Sequence, residues 1–503
     1  MRRFIPAALV VSLTLSALPA FAADTTTEAA GTMKRFIDAL VIAQDNSADP
    51  IDLDQAFYGG AIPGLLRHLD PHSSFFDPGQ FEQLNQMQHS TSKGFGTVVS
   101  ILPGRVMVLQ VLPNTPSAKA GMMPGDEIRG VNNYRLDRLE PDQIIELLTE
   151  SRQKPVVLVL RHPDALRFEE TRLVPETMQA PSVERVFELQ PGIGYVRVSA
   201  FEGTTGHDIR AAIEKLGGQN LKGLVLDFRN NPGGLVTAAL ETAALFLKPG
   251  QVILSAKGRN VPETTERVPA GNVPYTFPVA IIVNGKTASA SEIVTGALQD
   301  HDRATVIGEP TFGKGLVQSV YPLAEKTGLA LTTALYYTAS GRSIQKPFRE
   351  EGFELGETAA HPNEQQDFKT DNGRPILGGG GITPDIVAHP ESFTQFRAAL
   401  EASGSYTTFA AEYIRDHKIA DGWEVPQAML DQFQIWLGDR QIQPSLREWL
   451  AERDYIASRL KEDVYDLTLG VARGDEIQAQ RDPPIQQALQ SVLMPPAFLS
   501  TGK

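Results

Sequence analysis

Apolar positions near the start of the chain recur with the spacing of a helix. Met33, Phe36, Ile37, Leu40 and Val41 fall at i, i+3, i+4, i+7 and i+8, one apolar face. Residues 28–90 read as helical, with a second stretch over Gln55–Leu69 that Asp70-Pro71 punctuates and a further helix opening at Pro78. From 90 to 165 the runs shorten and become β-rich. Gly96–Ile101, Val106–Val111, Glu127–Val131 and Val156–Arg161 surround one helical pattern, Pro141–Ser151. Residues 185–345 alternate. Gly194–Ser199, Gly223–Phe228, Val279–Val283 and Thr305–Ile307 read as strands, and His207–Leu216, Leu235–Leu247 and Ala290–Asp300 as helices. Continuous apolar strands separated by helices predict an α/β sheet covered on at least one face. A hairpin follows, Leu316–Leu323 and Gly328–Tyr337, joined by Ala324-Glu325-Lys326-Thr327. Beyond Pro390 the pattern is helical, with stripes at Phe433, Trp436, Leu437 and at Leu446, Trp449, Leu450 that mark core or interface.

Composition narrows the function. The 503 residues suffice for three or four domains at roughly 100–200 residues each. With 42% apolar and 21% charged residues the chain is an ordinary globular one. Its 60 acids against 46 bases, a formal charge of −14, argue against a general nucleic-acid binder and give no reason to expect attraction to anionic lipid. The absence of cysteine excludes disulfides, thiolate nucleophiles, cysteine-ligated zinc and iron–sulfur clusters. At the N-terminus, Arg2 and Arg3 precede an apolar run from Phe4 to Leu18 and then Ala20-Phe21-Ala22. This pattern predicts a secretory signal cleaved after Ala22, its apolar run well short of the ~20 residues of a membrane span. The expected product is a soluble exported protein, periplasmic or extracellular, working where ATP is scarce.

The chemistry turns on serine and its base. Nine histidines (His68, His72, His89, His162, His207, His301, His361, His389 and His417) offer bases, yet no Gly-x-Ser-x-Gly elbow accompanies them. His68 and His72 lie four apart, but Asp70-Pro71 breaks the chain between them and no HExxH context exists, so no metal is expected. The informative run is Asn284-Gly285-Lys286-Thr287-Ala288-Ser289-Ala290-Ser291-Glu292-Ile293, where a buried strand ends and a helix begins. First-turn amides lack intrahelical partners, and the helix dipole favours negative charge, so both would stabilise an oxyanion formed at Ser289. Ser289-x-x-Glu292 also reads as a capping box, the simpler reading of that segment alone. Lys314 tips the balance, 25 residues further on in Gly308-Glu309-Pro310-Thr311-Phe312-Gly313-Lys314-Gly315. Its flanking glycines allow a tight turn and close approach. A lysine in a poorly hydrated pocket loses its charge readily and can then take a serine proton. Gln318, four residues on, returns to the same side and could accept a hydrogen bond from the lysine.

These residues together resemble the C-terminal processing peptidases, the S41 family of serine proteases. Ala288 to Glu292 matches the family's nucleophile run and Gly308 to Gly315 its lysine run, and Asp227-Phe228-Arg229-Asn230-Asn231-Pro232-Gly233-Gly234 matches a third loop. Tyr336 to Ile344 and Gly381 to Ile386 resemble downstream segments. The resemblance implies a ClpP/crotonase-like α/β core with Ser289 as nucleophile, Lys314 as base and Gln318 as assisting residue. The amides of Gly234 and Ala290 would form the oxyanion hole, with no metal or cofactor. Pro113 to Ile128 resembles a PDZ domain, with Gly94-Phe95-Gly96 as its carboxylate-binding loop. Such a domain takes an extended C-terminus as an added strand, here with an apolar pocket expected from Phe95, Val98 and Ile144. The implied organisation is a signal at 1–22, a helical region at 23–88, a PDZ domain at 89–165, a peptidase core at 166–390 and a helical extension at 391–503. Polypeptides bound through their C-termini are the expected partners, and the resemblance leaves room for an activating adaptor and for a homo-oligomer. The tail after Pro390 lies outside the family's minimal pattern, and Phe95 stands where a smaller aliphatic residue is usual.

Two other classes fit the chain less well. Gly308 to Lys314 fits the start of a P-loop but continues to Gly315, without the magnesium-binding hydroxyl, and Gly285-Lys286-Thr287 has Ala280 where the first glycine should be. A catalytically silent exported scaffold would keep the PDZ domain and lose the nucleophile or the lysine, and this chain has both.

Overall fold

The computed structural model describes residues 22–163, 165, 167–346 and 368–495. The expected signal sequence and His361 lie outside them, apart from Ala22. The chain divides into two units, Met1–His68 and Leu69–Lys503. In the first, helix α1 (Ala22–Asn46) is followed by a π-helical turn, Gln55–Ala61, that runs into α2 (Ile62–Arg67). The stripe on α1 forms as predicted, but Met33, Phe36, Ile37 and Val41 are exposed. Phe36 meets Phe57 of the turn at a ring distance of 6.3 Å.

The second unit opens with a short strand, β1 (Ser74–Phe76), inside the region read as helical. Helix α3 (Pro78–Gln88) then starts at Pro78, because proline suits the first turn and Asp77 and Gln80 form a reciprocal capping box. Strand β2 (Thr91–Gly94) leads into a PDZ-like sheet of β3 (Thr97–Leu102), β4 (Arg105–Val111), β5 (Glu127–Val131), β6 (Tyr134–Arg135), β7 (Val156–Arg161) and β8 (Glu169–Leu173). Helices α4 (Pro116–Lys119) and α5 (Pro141–Ser151) cover it. The predicted strands and helix stand where the pattern put them. The sheet continues past residue 165 through β8, which pairs with β7. Strand β9 (Glu176–Gln179) returns to pair with β2.

The largest region is built on a six-stranded core sheet in the order β10 (Val183–Gln190), β11 (Ile193–Val198), β12 (Gly223–Asp227), β15 (Val279–Val283), β16 (Ala304–Gly308) and β21 (Ile386–Val387), parallel except for the first pair. Helices α6 (Thr205–Lys215), α7 (Val236–Ala244) and α8 (Ala290–Asp300) cover one face. Beside it, β13 (Val252–Lys257), β14 (Thr264–Arg267), β17 (Leu316–Pro322) and β18 (Gly328–Tyr337) form a second sheet with β1. A two-stranded pair, β19 (Phe368–Lys369) and β20 (Pro375–Ile376), completes the strands.

The C-terminal extension is helical, as expected: α9 (Gln395–Ser403), α10 (Ser405–Tyr413), α11 (Gln427–Asp439), α12 (Leu446–Thr468), α13 (Val471–Arg481) and α14 (Pro483–Leu493). Ile485, Ala488, Leu489 and Val492 of α14 pack on Tyr195, Val225, Ala280 and Ile282, burying the second face of the core sheet. That double cover explains why β12, β15 and β16 are buried at every position. Helices α9 to α12 instead share a core with Leu102 and Met107 of the PDZ-like sheet. The extension therefore bridges the PDZ-like domain and the core sheet. Phe433, Leu437 and Trp449 are buried there, whereas Leu446 and Leu450, expected in the stripe, are exposed at the outer end of α12.

Candidate active site

Three loops leave the C-terminal ends of the adjacent parallel strands β12, β15 and β16, where α/β sheets place their ligands. Strand register sets Asp227 beside Ile282 and Val283 beside Gly308, so the loops start level with one another. The first carries Gly233 and Gly234, the second Ser289 and the third Lys314. Residues far apart in sequence thus meet because their strands are neighbours.

Ser289 sits at φ 55° and ψ −116°, a backbone conformation unfavourable for a residue with a Cβ and of the kind held in place at functional turns. Ala290 opens α8 and is fully buried. Its amide is a first-turn donor, and neither it nor the Gly234 amide gives a hydrogen bond to a backbone carbonyl among the described residues. The glycine loop lies against the serine turn: a Cβ on Gly233 would come within 2.8 Å of the Ala290 nitrogen and of the Ser289 Cβ. Gly234 has φ 145°, and a Cβ there would sit 2.0 Å from the Phe201 carbonyl oxygen. Asn231 stitches the two turns, its carbonyl accepting from the Ala288 N–H at 3.0 Å and from the Ser291 Oγ at 3.2 Å. An oxygen placed between the Gly234 and Ala290 amides and carrying negative charge would receive two hydrogen bonds and the field of α8.

Lys314 is half-buried, and burial holds its ammonium below the usual lysine range against the opposing pull of Asp70 and Glu292. Its Nζ donates to Gln318 Oε1 at 2.8 Å. Among the described residues no hydrogen bond joins Lys314 Nζ to Ser289 Oγ. Gly313, at φ 88°, lets the loop pass close to Lys346, whose Cγ would be 2.7 Å from a Cβ there.

The same geometry reveals residues that the sequence reading underused. Glu292, read only as a capping partner, is fully buried and ties the serine turn to the lysine loop. Its carboxylate accepts the N–H groups of Ser289, Gly313 and Lys314 at 2.8, 2.8 and 2.9 Å and the Thr311 Oγ1 at 2.5 Å. Burial pushes this carboxyl up, and the four donors oppose the shift. The hydroxyl of Tyr336 lies 3.1 Å from the Ser289 carbonyl and 2.8 Å from that of Lys314. Burial alone would raise Asp227, but Arg229 holds it low; Arg229 reaches on to Asp482 at the start of α14. The glycine loop is thereby anchored to the C-terminal extension. Three histidines are occupied elsewhere: His162, His301 and His389 pair with Asp126, Asp371 and Glu309. Among the described residues no group of three or more His, Asp and Glu side chains is arranged to hold a metal ion.

In the PDZ-like domain, Gly94 ends β2, paired with Glu176 of β9, and Phe95 and Gly96 join it to β3. The Phe95 and Gly96 amides give no hydrogen bond to a backbone carbonyl among the described residues. Among the described residues β3 pairs only with β4, which leaves its other edge for an added strand. Ile144 is buried with Phe95 packed against its cluster; Val99 and Ile101 join them and the expected Val98 does not, because side chains alternate along β3.

The profile of peptidase family S41 matches residues 192–354 and that of the PDZ domain residues 107–162. The chain is 35% identical over 358 residues to a carboxy-terminal-processing protease of Bartonella bacilliformis, covering 70% of this chain and 74% of that one. It is 33% identical over 319 residues to the chloroplastic carboxyl-terminal-processing peptidase 2 of Arabidopsis thaliana, covering 60% and 59%. Among solved structures, a photosystem II D1 C-terminal processing protease aligns at 27% identity with a TM-score of 0.36, covering 68% of this chain and 84% of that one.

Proposed function

This chain belongs to the C-terminal processing serine peptidases of family S41 and carries a PDZ domain, and from that premise we propose that Ser289 is its nucleophile, Lys314 its general base and Gln318 the group that orients the lysine. The supporting observation is the convergence of three loops at the ends of β12, β15 and β16, with an orphan amide pair beside Ser289 and a desolvated lysine opposite. Neutral Lys314 takes the Ser289 proton as Oγ attacks the scissile carbonyl. The oxyanion forms against the Gly234 and Ala290 amides. The lysine then protonates the leaving amine, and water deacylates the serine by the reverse proton path. The substrate is a polypeptide cut near its C-terminus. Its terminal carboxylate is taken by the amides of the 94–96 loop and its backbone pairs along β3. Export, with cleavage after Ala22, belongs to the same reading. Among the described residues no helix is long and apolar enough to cross a membrane.

One observation favours a silent scaffold instead: Lys314 Nζ bonds Gln318 and not Ser289. A single assay separates the two. An unfolded polypeptide with a free apolar C-terminus should be cleaved, and Ser289→Ala and Lys314→Ala should each lower kcat by about a thousandfold or more with little change in Tm. Near-normal turnover in Lys314→Ala overturns the dyad, and no cleavage by the wild type supports the scaffold. Amidating the substrate's C-terminus should raise KM; an unchanged KM overturns carboxylate capture.

A further inference from the structure

The Asp70–Ser73 segment read from sequence as a mere break between helices, and none of the roles above uses it. Asp70 is a carboxylate only 3% exposed. Its Oδ1 accepts the N–H groups of His72 and Ser73, both at 2.8 Å, and its Oδ2 accepts the Ser73 Oγ at 2.6 Å. The turn is therefore closed from within. It is also fastened from without, because the Thr332 N–H of β18 donates to Ser73 Oγ at 3.1 Å and β1 then pairs with β18. Thr332 is also the register partner of Gln318 on β17. One strand thus fixes both the turn and the glutamine. The result is a relay: Gln318 Nε2 donates to the His72 carbonyl at 2.7 Å, while Gln318 Oε1 accepts from Lys314 Nζ at 2.8 Å.

An amide side chain has a donor end and an acceptor end of almost equal shape, so what it meets on one side decides what it presents on the other. A carbonyl at Nε2 forces oxygen toward the lysine. We propose that the Asp70–Ser73 turn is a positioning element for the catalytic lysine, holding the His72 carbonyl where it fixes the Gln318 amide with its oxygen toward Lys314 Nζ. This inference rests on the Ser289–Lys314 reading above. Asp70 has a second effect through its charge. The groups facing Lys314 are the Asp70 and Glu292 carboxylates, which pull its pKa up, and the His72 imidazole, whose own pKa is lowered first by burial and then by the Lys314 charge.

The test measures kcat and KM against pH for the full-length protein, with an internally quenched unstructured peptide ending in a free apolar residue. Gln318→Glu keeps an oxygen on Lys314 but sets a second oxygen against the His72 carbonyl. On the high-pH plateau its kcat should fall about tenfold or more with KM unchanged, the effect of losing one well-placed hydrogen bond. If the lysine needed only an acceptor, the carboxylate would serve at least as well, and a wild-type plateau overturns the proposal. Ser73→Ala should lower kcat and Ser73→Thr, which keeps the hydroxyl, should restore it; equal kcat in wild type and Ser73→Ala also overturns it. Asp70→Asn should move the acid limb of kcat/KM to lower pH, and an unmoved limb in a folded variant counts against the proposal. Should Asp70→Asn fail to fold, the Gln318 and Ser73 variants decide alone. Ser289→Ala is the control: activity retained there sinks the dyad itself, whereas an inactive Ser289→Ala beside a fully active Gln318→Glu sinks only the positioning role.

Discussion

Replacing Glu292 by Gln tests whether one buried carboxylate holds the serine turn and the lysine loop together. Its Oε2 accepts from the Ser289 and Lys314 N–H groups, and its Oε1 from the Gly313 N–H and Thr311 Oγ1. Three of the four partners are backbone amides that can only donate. A Gln nitrogen at the Oε2 position would face two donors. At the Oε1 position it would face Gly313 and Thr311, whose hydroxyl could reverse its role although it already accepts the Ile382 N–H at 2.7 Å. The nitrogen therefore settles toward Gly313, and that amide loses its acceptor in a site with no exposure to water. Losing a hydrogen bond to a charged group and leaving a buried N–H unpaired costs about 2–4 kcal/mol. That is well inside a typical stability of ~5–15 kcal/mol, so the variant should fold. Calorimetry should show a lower Tm, and hydrogen exchange should quicken at Gly313 and Lys314 before other core amides. Activity supplies a readout independent of stability. The Glu292 charge raises the Lys314 pKa, so removing it should shift the acid limb of kcat/KM to lower pH while kcat falls. A Glu292→Gln protein with wild-type Tm, exchange and pH profile would refute the argument.

Wild-type kcat/KM should rise with pH as Lys314 deprotonates and level off below the pH at which free lysine titrates, because burial lowers its pKa; a midpoint at or above the free value, or loss of activity in EDTA that zinc restores, would contradict this. Gly234→Ala should lower kcat about 10²–10³-fold, since its Cβ would displace the Phe201 carbonyl and with it the oxyanion amide; kinetics within a few-fold of wild type would rule that out. Asp466 is 8% exposed, its Oδ1 lacks a hydrogen-bond partner among the described residues, and burial pushes its pKa up to about 8. The folded protein therefore binds a proton there that the unfolded chain releases near its ordinary value, so stability should fall as pH rises from about 4 to 8. Asp466→Asn, which mimics the protonated form, should melt higher than wild type at pH 8 and by less at pH 5; an equal difference at both would show that the carboxylate is not the cause. Ending the chain before Val471 should leave the core sheet with one apolar face uncovered and yield insoluble protein; a soluble, active truncation would show that α13 and α14 are dispensable cover.

Much of this protein is written in local sequence. Burial of one or both faces imposes a period on each element, so β5, β7, β15, α5 and α8 run between the residues that the pattern marked. Short-range hydrogen bonds did the same for the start of α3, where Asp77, Pro78 and Gln80 act within four residues. The serine turn and the lysine loop were legible because each is a compact run ending a buried strand. What their neighbours do was not. Glu292 reads as a helix cap from sequence, because only the fold brings the Gly313 and Lys314 amides to its carboxylate. The strand Ser74–Phe76 was hidden inside a helical reading because its partner, Gly328–Tyr337, lies far along the chain. His72 and Gln318 are 246 residues apart and joined through a backbone carbonyl, which carries no side-chain signature at all. The C-terminal extension showed its helices by period, but not that one would cover the core sheet while others packed on the PDZ domain. Local propensity and one-sided burial act over a few residues and leave a trace in every element. Strand order, register and the pairing of remote loops are set by which surfaces bury best against each other, and only the folded chain decides that.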